Sequence, residues 1–359
     1  MIARALPLLA AAVFLASPAF AQTSRHVLKG DSIAVYNLVG ELRVERGSGS
    51  DVVVEVQRGG KDAAQLEIQA GALNGRETLR IIYPDDVIVM PEWGRGWNTT
   101  LRVREDGTFG NAEHGDSRGR IRWSRDGREV RITGRSRDGL EAYADLRVTV
   151  PAGKTISLNV GVGKVFVSNV EGDIRVWVAS ADVAADRTRG TLRIGTGSGN
   201  IDLRTAAGDV TLETGSGDVT VSEMQGTRLS VETGSGNVTL TGAKAGMLNV
   251  QTGSGEINAT AATGDELSFE TGSGNVDVTL GAAFTALSIE TGSGDVTLKV
   301  PPTVGAQVDL ETGSGDIDLG GLTLQVRRIE HDHVSGTLGD GKGRLSVGTG
   351  SGNVRLEKL

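Results

Sequence analysis

Three groups of residues in this chain have types and spacings that could do chemistry. The first is a series of acids, Glu213, Glu232, Gln251, Glu270, Glu290 and Glu311, continued by Glu330, with one member about every nineteen residues. Acids stacked at one position of a repeat form either a weak stripe for divalent cations or a solvated ladder relieved by Gln251 and by salt. The second group is His331-Asp332-His333. Two imidazoles and a carboxylate are part of a metal-ligand set, but no third His or Cys lies near them in the sequence, so a drifted repeat corner is the alternative. The third group is Arg120, Arg122 and Arg131 together with Trp93 and Trp97. Guanidinium forks bind phosphate or carboxylate, and an indole face stacks on a sugar ring, so this group points to an anionic glycan or a lipid headgroup. Its structural alternative is an insertion covering an open sheet edge, with Trp packed inward and Arg paired to Asp116, Glu113 or Glu129.

Catalytic patterns are not among them. No Gly-x-Ser-x-Gly nucleophile turn occurs, and the carboxylates are spread evenly, so no pair stands out as acid and base. The stretch Gly336 to Gly343 nearly spells a phosphate-binding loop, but Gly343 stands where the Mg²⁺-binding Ser or Thr belongs, and no helix is predicted to follow. No catalytic residue and no cofactor are therefore assigned.

The elements that must position these groups come from a repeat. Thr-Gly-Ser-Gly starts at Thr196, Thr214, Thr233, Thr252, Thr271, Thr291, Thr312 and Thr349. A fixed period near nineteen means one unit stacked on copies of itself. The long gap between Thr312 and Thr349 is two periods, and Ile329 to Val334 fills the place of the missing copy. Eroded copies at Val178 to Val183 and Val160 to Val165 bring the count to eleven coils in unbroken register.

Within a coil, Leu229 and Val231 alternate with Ser230 and Glu232, and Val238 and Leu240 flank Thr239. Period two on both sides of a Gly-rich break predicts two short strands with one apolar face each. The glycines are expected to turn the corner through positive φ. No hairpin turn joins the coils, so each strand pairs in parallel with its counterpart one coil away. The fold class is all-β, a parallel β-solenoid of about eleven coils with a less regular N-terminal β region and an inserted hairpin. That hairpin is read at Arg120 to Thr133 around Asp126-Gly127, opposing Trp123 with Val130 and Arg122 with Arg131.

Three segments follow. Residues 1–21 read as a signal peptide, with Arg4, an apolar core and an Ala19-Phe20-Ala21 cleavage site. Residues 22–150 form an N-terminal β region or cap with an Arg/Trp-rich insertion at about 84–138, and 151–359 form the solenoid. Losing Arg4 takes the formal charge from −8 to −9. An acidic balance excludes nucleic acid as the main partner. The expected compartment is the periplasm, with cell surface or extracellular space as alternatives, and no transmembrane segment remains after signal cleavage. The chain has no Cys, hence no disulfide framework.

The segment Ala144 to Pro151, followed by serial Leu-x-Val-x-Thr-Gly-Ser-Gly-[Asp/Asn]-Val coils, resembles the bacterial putative-adhesin family of the DUF4097 type over about residues 30–359. The resemblance implies a single-stranded β-helix of the cell envelope, related to domains proposed in adhesion and envelope-stress sensing, without established catalytic residues. The expected function is thus a non-enzymatic envelope interaction or scaffold module, meeting envelope glycans, lipid headgroups or another envelope protein. The alternatives are a glycan-active β-helix lyase or hydrolase, and a Ca²⁺-stiffened rod held by Glu213, Glu232, Glu270, Glu290 and Glu311.

Overall fold

Leu229 and Val231 in the strand Met224–Thr233 are fully buried, and so are Val238 and Leu240 in Val238–Thr241. Each lies beside its equivalent one coil on, Leu229 by Leu248, Val231 by Val250 and Val238 by Ile257, in parallel register. Burying these aliphatic rows drives the stack, because a lone coil has too little apolar surface to offset its ordering entropy. The computed structural model describes residues 22–91, 98–110 and 126–359, and over most of that length the chain is a parallel β-solenoid. From Lys154–Ser168 to Ala286–Thr291 every coil pairs in parallel with the next one in sequence.

The corner works differently from the expected glycine turn. Among the corner glycines of the Thr-Gly-Ser-Gly copies only Gly199 has φ in the left-handed region, at +150°. The need for glycine is one of space. A Cβ on Gly236 would stand 1.9 Å from the carbonyl oxygen of Gly217, and one on Gly253 would stand 2.4 Å from that of Gly234. Successive coils approach so closely here that no side chain fits between them. The threonine of the motif faces inward and is buried, and its hydroxyl donates to the second Gly carbonyl of the coil before it. Thr233 bonds Gly217 at 3.1 Å, Thr252 bonds Gly236 at 3.0 Å and Thr271 bonds Gly255 at 2.9 Å.

At the C-terminal end the stack leaves sequence order, and the coil expected at Ile329 to Val334 does not exist. Residues Gln325–Ile329 and His333–Leu338 form an antiparallel hairpin, and His333–Leu338 lies antiparallel on Ala306–Thr312. The chain then returns as Gly343–Thr349, inserted between Ala286–Thr291 and Ala306–Thr312 and parallel to both. The threonine hydroxyls confirm this order: Thr349 donates to Gly294 at 3.0 Å and Thr312 to Gly352 at 2.7 Å. Lacking the corner glycines, residues 329–334 cannot make the close approach that stacks a coil, and the chain reverses there instead.

The N-terminal region supplies the level that this removes. Ser32–Arg46 pairs in parallel with Lys154–Ser168 over its whole length, so the solenoid reaches back to Ser32. Positions 37, 160, 178, 196, 214, 233, 252, 271, 291, 349 and 312 make eleven stacked levels. Asn37 takes the place of the corner Thr in the first of them. Its amide donates to the Ala144 carbonyl at 2.7 Å, and the Tyr83 hydroxyl lies 2.9 Å from its Oδ1; burial raises the Tyr83 pKa. Arg76–Ile82 and Tyr143–Val150 add in parallel to this level, and Glu67–Leu73, Val52–Gly59 and Gln22–Leu28 close the end in antiparallel fashion.

The hairpin expected around Asp126-Gly127 is replaced by another pairing. Arg128–Thr133 is the central strand of a three-stranded sheet, antiparallel to Asn98–Val103 and parallel to Val87–Val89. Both its edges are taken, and residues 120–125, the other arm of the expected hairpin, lie outside the described residues. The local Asp-Gly turn signal loses to Leu101, Val103, Val130 and Ile132, which bury together against the solenoid. Phe109 meets the Tyr36 ring edge-on at 5.7 Å, and a Cβ on Gly161 would stand 2.8 Å from Leu101 Cδ1. The insertion therefore covers the first coils.

The packing at the corner predicts a contrast between two glycines. Gly236→Ala should destabilise the fold by about 2–3 kcal/mol, because a backbone carbonyl must move. Gly348→Ala, where a Cβ meets nothing within 4 Å, should leave stability unchanged within about 0.5 kcal/mol. Denaturant melts of the two variants beside wild type check this.

Candidate functional site

Stacking turns each outward position into a row about 4.8 Å per step. The acid row holds in part: Glu213, Glu232, Gln251, Glu270 and Glu290 are consecutive cross-strand neighbours. The Gln251 amide donates to Glu270 Oε2 at 3.2 Å, which relieves the repulsion at mid-row. Beyond Glu290 the expectation fails. Gly348 occupies the next place, Glu311 comes after it, and Glu311 faces His333 across the antiparallel ladder. Glu330 is outside the row altogether; it pairs with Arg328 at 2.6 Å, and that guanidinium lowers its pKa. The carboxylate row therefore ends where the returning strand is inserted.

The histidines do not converge. His333 Nε2 lies 2.6 Å from Asp309 Oδ1, and His331 Nε2 lies 3.6 Å from Asp316 Oδ1. Among the described residues no three or more of His, Cys, Asp and Glu gather to hold a metal ion.

The row after the motif is structural. Asn200, Asp218, Asn237 and Glu256 each give their backbone N–H to the side-chain oxygen of the residue one coil before, at 2.8–2.9 Å. The pattern resumes from Asn275 through Asp295 and Asn353 to Asp316. Asn and Asp suit this place because their short side chains reach the next coil's amide and no further.

Of the anion-binding group, Arg131 is exposed on the central strand of the insertion, opposite Thr100 on one side and Val87 on the other. Arg120, Arg122, Trp93 and Trp97 lie outside the described residues, as does Trp123. Both edges of the Arg131 strand are occupied by described strands, and the expected partner Arg122 is not among the described residues.

The structure brings together a different cationic feature. Ser230, Asn249, Ser268, Ser288 and Ser346 line the floor of a groove of about 480 Å³ along the stack. The acid row flanks it on one side. On the other runs the row Arg228, Met247, Glu266, Ala286 and Arg344, neighbours in that order. Small floor residues between longer flanks make the groove. Arg228 and Arg344 are exposed, four levels or roughly 19 Å apart, and neither makes an ion pair among the described residues. Most of the floor was readable as the Ser or Asn two residues before Glu232, Gln251, Glu270 and Glu290. Arg344 joins it only because Gly343–Thr349 is slotted behind Ala286–Thr291.

A second cavity, about 770 Å³, lies where the insertion meets the first coils, lined in part by Glu41, Lys164, Asp182, Asn98 and Tyr143. Lys164 stands between Glu41 and Asp182 across the ladder, so its charge is already balanced by neighbours.

These features define a parallel β-solenoid with polar outward rows and antiparallel ends. The sequence profile of the Toastrack DUF4097 family matches residues 111–357, well over half the chain, and the protein belongs to that family. The match begins later than residue 30, so the Ser32–Arg46 coil and its caps lie outside it. Two solved structures are similar in part. A putative cell adhesion protein from Clostridium sporogenes shares 10% identity, with 94% of this chain and 100% of that one covered at a TM-score of 0.20. A putative adhesin from Bacteroides fragilis shares 12% identity, with 94% and 98% covered at a TM-score of 0.30. No curated protein matches the chain.

If Gly348 is what relieves the acid row, Gly348→Glu should place a carboxylate between Glu290 and Glu311. The variant should lose about 0.5–1 kcal/mol at low salt and recover most of it near 1 M NaCl, read as melting temperature against salt.

Proposed function

We propose that this chain is a non-enzymatic, adhesin-like interaction module of the bacterial envelope, which lays an extended anionic glycan strand along the groove between Arg228 and Arg344. The observation that carries this reading is the groove itself: a straight floor of hydroxyl and amide groups with an exposed Arg at each end. A floor repeating at every level suits a polymer with a repeating pattern of hydroxyls better than a single small molecule. The Arg residues supply charge-assisted hydrogen bonds for carboxylate groups, and the flanking Glu row disfavours a polymer charged at every unit. Family membership and the signal-like residues 1–21 support an exported protein, with the periplasm as its compartment. No pair of carboxylates is singled out for acid–base work in the groove, which supports binding over cleavage.

Co-sedimentation with isolated sacculi and with outer-membrane vesicles, at low and high salt, tests it. The expected outcome is salt-sensitive pelleting with sacculi that Arg228→Ser plus Arg344→Ser weakens at least ~10-fold, or ~1.4 kcal/mol, while Arg131→Ser leaves it unchanged. Pelleting that ignores the groove variant but falls with Arg131→Ser would return the site to the insertion. No pelleting with either preparation would remove the glycan-binding reading.

A further inference from the structure

One core row of the solenoid runs through both caps and comes out at the ends. It begins at Ala70, passes through Leu79 and Val35, follows the buried positions of all the coils to Leu310, and continues through Val334 to Ile329. Every member from Leu79 to Val334 is buried. Its two ends are not: Ala70 is exposed, and Ile329 is 68% exposed. The positions beside these ends are exposed too, Ala72 at one end and Val326, 48% exposed, at the other, with Glu77 and Gly336 interrupting the row behind them. A side chain that continues a core row yet stands in solvent marks a place where one more layer would be buried.

Both ends are also open in their backbone. Among the described residues Gln325–Ile329 pairs only with His333–Leu338, and Glu67–Leu73 only with Arg76–Ile82. Each is an edge strand with a free row of amide and carbonyl groups, and such edges recruit further strands.

We propose that copies of this chain join end to end, the Gln325–Ile329 edge of one adding to the Glu67–Leu73 edge of the next. Strand direction fits. Ala306–Thr312, His333–Leu338 and Gln325–Ile329 alternate in direction, and Glu67–Leu73 runs against Arg76–Ile82, which is parallel to the coils. Coaxial stacking therefore makes the new pair antiparallel and continues the alternation. In the register that extends the core row Ile329 meets Ala70, and the bulge that Gln325–Ile329 already carries at Arg327 sets Val326 against Ala72, large against small. Arg328 then faces Gly71, around whose Cβ position nothing lies within 4 Å. The charges are opposite in sign: Arg327 and Arg328 against Glu330 give 325–330 a net +1, and Glu67 gives its strand −1. Pairing Gln325–Ile329 with its own copy is worse, because opposing Val326 with Ile329 sets Arg327 against Arg328. A head-to-tail contact does not close, so it propagates along the rod axis.

Sedimentation velocity of the full chain across a concentration series tests this, with Ile329→Lys blocking one end and Ala70→Lys the other. Both positions are exposed, and unchanged melting temperatures confirm that the variants fold. Wild type should show species larger than a dimer that grow with concentration, and each variant alone should stay monomeric. An equimolar mixture of the two variants should form a two-copy species through the one intact pair of ends. Wild type that stays monomeric up to about 1 mM, or a mixture that stays monomeric, overturns the proposal. Ala70→Lys that dimerises alone overturns it too, by making the contact symmetric.

Discussion

The closeness of one coil's corner to the next is the constraint on which the rest of the structure depends. The Gly217 carbonyl lies where a Cβ of Gly236 would be, and the same approach recurs at every Thr-Gly-Ser-Gly corner. With the corners this near, a Thr hydroxyl reaches the preceding Gly carbonyl, and an Asn or Asp side chain reaches the following amide. Those polar contacts lock the register from outside and inside the corner, while Leu, Val and Ile rows supply the burial. A one-residue slip would lose both at once, because it would bring side chains against carbonyls and turn the aliphatic rows outward.

A stack with so strict a register has little freedom left in its core, and its chemistry is confined to outward rows and to the ends. An outward residue acts as a member of a row, with like neighbours about 4.8 Å away. A row of carboxylates must then be diluted, as Gln251 and Gly348 do here. A row of serines beside longer residues becomes a groove. Asp218 and Asp295 in the row after the motif, which look like part of a second charged stripe, each accept the backbone amide of the following coil.

The ends obey a different rule. Parallel coils leave an edge at each end, and here each edge is continued by antiparallel strands that need no corner. At the N-terminal end the insertion adds a three-stranded sheet on the first coils, with Phe109 against Tyr36 and Leu101 beside Gly161. At the C-terminal end the chain overshoots, folds back as a hairpin and returns to fill the gap it left.

The sequence alone determined the class of fold and the inside of each coil. Alternation at Leu229 and Val231 and the repeating Thr-Gly-Ser-Gly are local signals, and each coil contains all of them. The resemblance to the DUF4097-type family rested largely on the same residues. What the tertiary structure decided is the order of the last levels, the partner of Arg128–Thr133 and the end of the acid row. The Thr-Gly-Ser-Gly corner at Thr349 is the same as its neighbours', and every slot in the stack accepts that corner. Which slot it fills depends on where 325–338 reverses, and that follows from missing corner glycines and from burial, not from period. The groove's second Arg follows from that choice of slot, so no reading of the repeat in sequence order could have placed Arg344 beside Ala286.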